Sequence, residues 1–417
     1  SSIQEFRSRE PARRHSSSPA RQGRASRSRL RADLAYAAEQ CAGARPSWLA
    51  LLESGRAGQA VEVLAKAVAV NPADAAAKAN LAAARQALSA TALNKSAELF
   101  GLGRLVEAHA AAREALTNDP LSVGAHVNAG LALDDLLRHE EAYAAFDRAA
   151  ALAPSDPSAH HFRGAALFVL GRTEEALACF ERVLALEPAR ALSHFYRALC
   201  LLVLGRWTEG WAEYEWRKRR EPPLGTWAGD GQAWTGREDI AGKTLLIYAE
   251  QGLGDTILLA RYLPLVRATG ARVILLIPPP LHRLLRALDP AITVASSTEG
   301  LGPIDFVCAT FSLPLAFAGR PIPADVPYLR ATDEARAAWR ARIGAQGFRI
   351  GVCWSVLKSD TKGRSFPLAL LEDIAHAPSV RLISLQKGDG LEELAVLPPG
   401  MIVETLGNAY DTGDFLD

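Results

Sequence analysis

The chain has 417 residues, of which 49% are hydrophobic and 22% charged, and its formal net charge is +1. This length allows two or three domains with hydrophobic cores, and the composition is ordinary for a globular protein. No run of about 18 apolar residues exists, so we predict no membrane-spanning helix.

The N-terminal segment is strongly basic. Residues 1–31 carry nine arginines against Glu5 and Glu10, a formal charge of +7 that leaves −6 for the rest of the chain. This segment has too few large apolar side chains to offset the entropy of ordering, so we expect residues 1–40 to be disordered. An arginine-rich arm could bind nucleic acid, but no fold or aromatic side chains position these arginines, and we do not expect such a partner.

The cysteines indicate where the protein is located, and the methionine content indicates where the chain begins. The five cysteines lie far apart with no CxxC pair, a pattern typical of buried thiols in a reducing cytosol, so we expect a cytoplasmic protein. Residues 1–31 lack the apolar core of a secretory signal, although their composition also fits an organelle transit peptide. Met401 is the only methionine, so the chain does not begin at its own start codon: we expect it to be a fragment or to carry upstream residues that were never translated.

A period of 34 residues dominates residues 89–224. Pro120, Pro154 and Pro188 keep this spacing, and four further columns keep it too: Gly103, Leu137, Gly171 and Gly205; Ala108, Ala142, Ala176 and Gly210; Ala112, Phe146, Phe180 and Tyr214; Gly130, Gly164 and Ala198. Small residues let two helices approach, an aromatic ring fills the space between them, and proline ends the second helix. These columns resemble the tetratricopeptide repeat (TPR) and predict four helical hairpins.

A fifth, looser unit precedes these repeats. It spans about 41–74, with Gly55, Ala60, Ala67 and Pro72 in the corresponding positions, and an extra helical stretch at 75–88 separates it from the others. A single hairpin cannot bury both of its apolar faces, so we expect the units to stack into a superhelix over 41–224 that binds a protein or peptide.

Two polar columns share the repeat period. His126, His160 and His194 could suggest a metal, but successive repeats lie about 10 Å apart, too far for three histidines to share one ion, so we predict no metal site. Asn94 and Asn128 form the second column. They could hydrogen-bond an extended peptide in the groove of the superhelix, or they could be partly buried polar positions.

The pattern changes near residue 240. Strand-like runs at 243–249, 272–277 and 304–309 alternate with helical stretches, and a second set begins at 348–355 and continues at 380–386. Alternation of strand and helix predicts parallel sheets of Rossmann type, the first over 225–330 and the second over 331–417.

Several stretches of this half resemble a known enzyme family. WTEGWAEYEWR (207–217), GKTLLIYAEQGLGDTILLARYLP (242–264) and the later GVCWS, GRSFPL and ISLQKG are similar to bacterial TPR proteins fused to a heptosyltransferase-like glycosyltransferase. The resemblance implies a GT-B fold whose second Rossmann-like unit is truncated here. It also implies inverting, metal-independent transfer of a sugar from a nucleotide-sugar substrate, without a cofactor, to an acceptor recruited by the repeats. In layout the chain is also similar to protein O-GlcNAc transferase.

The EQGLGD motif is the predicted catalytic loop, because it lies between a strand and a helix, where ligands bind in open α/β sheets. Gly252 and Gly254 permit positive φ and close approach of a ligand. The family resemblance implies that Asp255 is the base that deprotonates the acceptor, and that Glu250 and Gln251 belong to the acceptor loop. The alternative is that Asp255 only caps a helix. The motif lacks the third glycine of a dinucleotide-binding fingerprint, since Ile257 stands there, so NAD binding is weakly indicated.

Basic and polar residues after the later strands are predicted to bind the donor, because positive side chains stabilise a departing nucleoside diphosphate. A solvated basic loop is the alternative. Val356 and Leu357 also replace the small Gly/Asn pair common in the family. The predicted donor-binding residues are Ser355, Lys358, Lys362, Arg364, Ser365, Gln386 and Lys387.

Two further points stay open. Trp207, Trp211 and Trp216 could form a carbohydrate platform, although their helical spacing favours a role in joining the last repeat to the sheet. The departure at Val356 and the truncation also allow a second function, a non-catalytic scaffold that binds proteins through its repeats and carries a degenerate glycosyltransferase-like unit.

Overall fold

The computed structural model describes residues 47–220, 223–318, 320–324, 327–356 and 365–407. The segment expected to be disordered, 1–40, lies outside these residues. The chain divides into two compact units between Leu136 and Leu137. The helices that follow Leu137 therefore group with the parallel sheets, whereas the sequence placed the boundary near residue 224.

The first unit consists of helices in which each contacts the next. They are α1 (Ser47–Glu53), α2 (Ala57–Val70), α3 (Ala75–Gly101), α4 (Leu105–Asn118) and α5 (Val123–Asp135). Helix α3 begins at Asp74, whose carboxylate accepts a hydrogen bond from the Ala77 N–H at 2.9 Å. The extra helix predicted at 75–88 and the first helix of the following repeat are one continuous helix, because no glycine or proline interrupts the alanine-rich sequence between them.

The second unit begins with five further helices of the repeat region. Its helices are α6 (His139–Leu152), α7 (Pro157–Val169), α8 (Thr173–Leu186), α9 (Ala191–Val203) and α10 (Trp207–Tyr214), followed by a 3-10 turn at Glu215–Arg219. Ala142, Phe146, Ala176 and Phe180 of the predicted columns are buried. A Cβ atom on Gly210 would lie 2.8 Å from the Leu202 side chain, so only glycine fits at this helix crossing.

The turn within each hairpin uses a left-handed residue. Gly103, Gly171 and Gly205 have φ between 72° and 75°. Leu137, the first residue of the second unit, takes the same conformation, with φ of 62°. A side chain at positive φ is strained, so this repeat carries a local cost that the glycine-containing repeats avoid.

The first sheet is parallel and has the order β1-β5-β2-β3-β4. Its strands are β1 (Gln232–Ala233), β2 (Thr244–Tyr248), β3 (Arg272–Leu276), β4 (Thr293–Ala295) and β5 (Phe306–Ala309). Strand β2 is wholly buried, as its run of apolar residues predicts. Leu246 pairs with Ile274 on one side and with Val307 on the other. The strand order reverses beside β2, because β3 and β4 follow on one side and β5 returns to the other.

The second sheet is also parallel. Its order is β6 (Phe348–Val352), β7 (Val380–Ser384), β8 (Val403–Thr405). Val352, Trp354, Leu368, Leu382 and Met401 form its buried core. Both halves of the α/β prediction are therefore present as parallel sheets.

Candidate functional site

The loops that follow β2 and β5 meet where the strand order of the first sheet reverses, the usual position of ligand sites in open parallel sheets. The EQGLGD loop follows β2, and a 3-10 turn, Thr310–Ser312, follows β5. The Phe311 N–H donates to Glu250 Oε1 at 2.8 Å, which ties the two loops together.

Arg217, from the 3-10 turn after α10, fills the space between these loops. Its side chain is fully buried and donates to both oxygens of Glu250, at 2.9 and 2.8 Å, while the Glu250 side chain is only 1% exposed. Further N–H groups of Arg217 donate to the Tyr214 carbonyl, Glu215 and Ser312. All five donors of the guanidinium are used, which satisfies a buried charge.

Glu215 and Lys218 extend this network. Lys218 Nζ lies 2.6 Å from Glu215 Oε2, and it donates to Ser312 Oγ at 3.1 Å. Burial raises the pKa of Glu215, but Arg217 and Lys218 outweigh it, so that pKa lies below its usual range. Burial likewise lowers the pKa of Arg217, and its hydrogen bonds to Glu250 more than compensate. The network therefore holds two cations and two anions.

Tyr214 provides the aromatic contact between α10 and the first sheet. Its ring lies 5.6 Å from that of Phe311, and its hydroxyl accepts a hydrogen bond from Gln251 Nε2 at 3.2 Å. The predicted role of the tryptophans in this junction is wrong for two of them: Trp207 is 50% exposed, and Trp216 stacks at 3.8 Å on His194 within the repeats. The helical spacing of the tryptophans did not reveal that Tyr214 and Arg217 form the junction.

Asp255 lies in the first turn of α11 (Leu253–Leu259) and is partly exposed. Its Oδ2 accepts a hydrogen bond from the Gly252 N–H at 3.1 Å, so it stabilises the start of this helix. Gly252 has φ of −64° and Gly254 is helical, so neither glycine uses the positive φ that it permits. A Cβ atom on Gly254 would meet no atom within 4 Å. The fold itself therefore does not require glycine at position 254.

A cavity of about 360 Å³, here called the junction cavity, opens beside this network. Its walls come from the last hairpin, the loop 225–231 and the carboxyl ends of β1, β2 and β5. The lining residues used below are Glu215, Lys218, Thr226, Trp227, Tyr248 and Ser312. Glu250, Gln251 and Asp255 do not line it.

Gln386, predicted to contact the donor, is buried and binds the protein itself. Its Oε1 accepts from the N–H groups of Trp354 and Ser355, each at 3.0 Å. Its Nε2 donates to the carbonyls of Ser355 and Asp389, at 2.9 and 2.7 Å. The carboxamide is fully occupied, which corrects the prediction: Gln386 positions the loop that follows β6.

The other predicted donor residues are only partly described. The Ser355 hydroxyl donates to the Val356 carbonyl, and Ser365 Oγ accepts from the Val356 N–H at 3.1 Å. Lys387 is exposed. Lys358, Lys362 and Arg364 lie outside the described residues, so their role stays a prediction.

The histidine column has a structural role. In their own repeats, the Nε2 atoms of His126, His160 and His194 lie 3.1, 2.9 and 2.8 Å from the carbonyl oxygens of the prolines six residues earlier. Within the described part of the chain, no cluster of three His, Cys, Asp or Glu side chains could hold a metal. In the asparagine column, Asn94 is exposed and the Asn128 amide donates to the Leu93 carbonyl at 3.4 Å, so the peptide-groove role stays a prediction.

Two other sequence expectations can be compared with the described residues. None of the described helices is long and apolar enough to cross a membrane. Cys179, Cys200 and Cys308 are buried, as expected, but Cys353 is exposed at the end of β6.

Comparison with known proteins identifies the repeats. Family profiles of the tetratricopeptide repeat match residues 93–157 and 157–190. FlbA of Caulobacter vibrioides is 30% identical over 199 residues, and the match covers 42% of this chain and 33% of FlbA. The chain thus spans about a third of the length of this curated relative.

Solved TPR structures are also similar. The first TPR domain of Spaghetti (RPAP3), bound to an HSP90 peptide, is 28% identical over 29% of this chain and 95% of its own, with a TM-score of 0.28. MamA is 16% identical over 42% of this chain and 94% of its own, with a TM-score of 0.29. The family profiles confirm the predicted tetratricopeptide repeats over residues 93–190. Repeats of this kind bind proteins or peptides, so protein interaction is the function of this part of the chain that the matches support.

Proposed function

We propose that the chain is a glycosyltransferase of the heptosyltransferase-like, GT-B type, which transfers a sugar from a nucleotide-sugar donor to an acceptor recruited by its repeats. The reaction is inverting and uses no metal or cofactor. Asp255 takes the proton of the acceptor hydroxyl as the bond to the donor sugar breaks. Glu250 and Gln251 fix the shape of the acceptor loop from the side of the repeats.

Gly254 is the observation that carries this proposal. In a helix interior a glycine costs about 1 kcal/mol relative to alanine, and Gly254 lies in the first turn of α11. Its φ is not positive, and a Cβ atom there would meet nothing within 4 Å, so neither backbone conformation nor packing accounts for it. A ligand that closely approaches the backbone would account for a glycine at position 254. This position lies beside Asp255, at the edge where ligands bind in parallel sheets.

The loop after β6 supports the donor side of the proposal. Gln386 holds the backbone of Trp354 and Ser355 through three hydrogen bonds, and a fourth joins it to the Asp389 carbonyl. A loop fixed in this way at the carboxyl end of a parallel strand is suited to present Ser355 and Ser365 to a diphosphate.

The test is turnover of nucleoside-diphosphate sugars by the 417-residue chain, its Asp255→Asn variant and Asp333→Asn, a control in the exposed first turn of α12 (Asp333–Ile343). Asparagine can still accept the Gly252 hydrogen bond but cannot take a proton, so we expect donor binding to persist while turnover falls at least 100-fold. Equal turnover by the wild type and Asp255→Asn would mean that Asp255 has no catalytic role and only caps the helix.

A second candidate is a non-catalytic scaffold. Its support is that the side chains of Glu250 and Gln386 are both consumed by contacts inside the protein. A scaffold binds peptides through its repeats and shows no saturable binding of any nucleotide sugar.

A further inference from the structure

We propose that the junction cavity is a binding site for a neutral sugar ring, separate from the loop of Asp255. The cavity lies at the carboxyl edge of the first sheet, beside the reversal of strand order, and its volume of about 360 Å³ is in the range of small-molecule sites. The proposal does not depend on transferase activity.

The polar side of the cavity offers both donors and acceptors. The Lys218 ammonium has three N–H groups, of which Glu215 and Ser312 use two. Glu215 accepts from Arg217, Lys218 and Ser312, which leaves one of its roughly four acceptor positions. A neighbouring donor and acceptor on Lys218 and Glu215 match two adjacent hydroxyl groups of a sugar, each of which both donates and accepts.

The charge of this network favours a neutral ligand. Arg217 and Lys218 balance Glu215 and Glu250, and every one of these ions is paired within the protein. A phosphate or carboxylate would lose its hydration on binding, and the cavity has no net positive charge to offset that cost. A sugar only exchanges its hydrogen bonds to water for hydrogen bonds to the cavity.

The other wall is aromatic. The ring of Trp227 stacks on Tyr248, with centroids 5.1 Å apart and an angle of 30°. The Trp227 N–H donates to the Asp230 carbonyl at 2.9 Å and the Tyr248 hydroxyl to the Gly225 carbonyl at 2.9 Å, so both polar groups are satisfied. These rings supply apolar surface, which suits the C–H face of a pyranose.

The test is calorimetric titration of the whole chain with glucose, galactose, mannose and N-acetylglucosamine, beside inorganic phosphate. We expect saturable binding of at least one sugar with a Kd on the order of 1 mM, the range of a small neutral ligand. Phosphate should not bind at this site. Asp255→Asn should leave sugar binding unchanged, which separates this site from the proposed transferase reaction.

Two variants locate the site. Lys218→Met removes the donor while Arg217 still holds Glu215, and Thr226→Tyr places a bulky ring at the exposed rim without altering the network. Each should weaken sugar binding at least 10-fold, whereas Trp207→Leu, on the exposed face of α10, should not. Thr226→Tyr should leave the thermal midpoint unchanged, and Lys218→Met should lower it because Glu215 loses one of its two cations. The proposal would be overturned if no sugar bound saturably, if sugar binding survived both variants, or if the chain bound phosphate in preference to sugar.

Discussion

Arg217 and Glu250 form a bidentate ion pair, at 2.9 and 2.8 Å, between the last helical hairpin and the loop after the central strand of the first sheet. Neither side chain is more than 1% exposed. The pair joins the helices of residues 139–214 to the first sheet, and both belong to the same compact unit. The repeats of this unit therefore contact the EQGLGD loop directly.

Removing one partner of this pair should be costly. Arg217→Met leaves the Glu250 carboxylate buried without a counter-charge, and we expect a loss of about 3–5 kcal/mol in the free energy of unfolding. The double variant Arg217→Met/Glu250→Leu should be more stable than the single one. Urea denaturation measures both, with Arg206→Met, which breaks an exposed pair with Glu209, as the control expected to leave the midpoint unchanged. Equal losses in Arg217→Met and Arg206→Met would contradict the assigned role.

The left-handed turns allow a matched comparison. Gly171 has φ of 75° and open space around its Cβ position, so Gly171→Ala should cost about 1 kcal/mol through the backbone alone. Leu137→Gly relieves the same strain in a neighbouring repeat and should not destabilise it. Thermal unfolding of the two variants checks this, and a stabilising Gly171→Ala would show that the turn is not left-handed in solution.

His161 should make the second unit sensitive to acid. Burial, with Arg190 nearby, lowers its pKa to about 4, and its Nδ1 lies 2.9 Å from Ser193 Oγ. Because the unfolded chain binds the proton near pH 6.5, this group's stabilisation is present above that pH. It is lost progressively as pH falls toward 4, by up to about 3 kcal/mol.

The check is the urea midpoint between pH 7.5 and 4.5 for the wild type and His161→Gln, in which an amide replaces the imidazole. The variant should lose less stability over this interval. Parallel pH profiles would mean that His161 is not held neutral by the fold.

Replacement of the Gln386 carboxamide by a carboxylate should destabilise the loop that follows β6. Gln386→Glu can still accept from the Trp354 and Ser355 N–H groups, but it faces the carbonyls of Ser355 and Asp389 with a second oxygen instead of a donor. We expect a loss of about 1–3 kcal/mol and faster amide exchange at residues 353–356. Exchange at the wild-type rate in Gln386→Glu would contradict the positioning role.

The sequence predicted the repeats well because small, aromatic and proline positions recur at one spacing, and each has a single packing role. The charged pairs Arg138–Glu141 and Arg172–Glu175 follow the same period. Their period carries no packing signal, because long charged side chains on a surface fit many neighbours. The parallel strands were also predictable, since β2 is a continuous apolar run.

The candidate site was less predictable. Which partner a polar residue selects depends on contacts between distant segments, as between Arg217 and Glu250 or Gln386 and Trp354. A motif locates such residues at a loop, but it does not distinguish a side chain that faces a ligand from one that holds the loop. Gln386 was therefore assigned to the wrong one of these two roles.

Hydrogen exchange of the wild-type chain with and without a nucleotide sugar tests the proposed function most directly. A donor that bridges the reaction site should slow exchange in the loop around Gly252–Asp255 and in the loop around Trp354–Val356. Protection of both loops by the same nucleotide sugar is the predicted result. A panel of nucleotide sugars that leaves exchange at both loops unchanged, at concentrations well above the millimolar range, would contradict the transferase and favour a protein-binding scaffold.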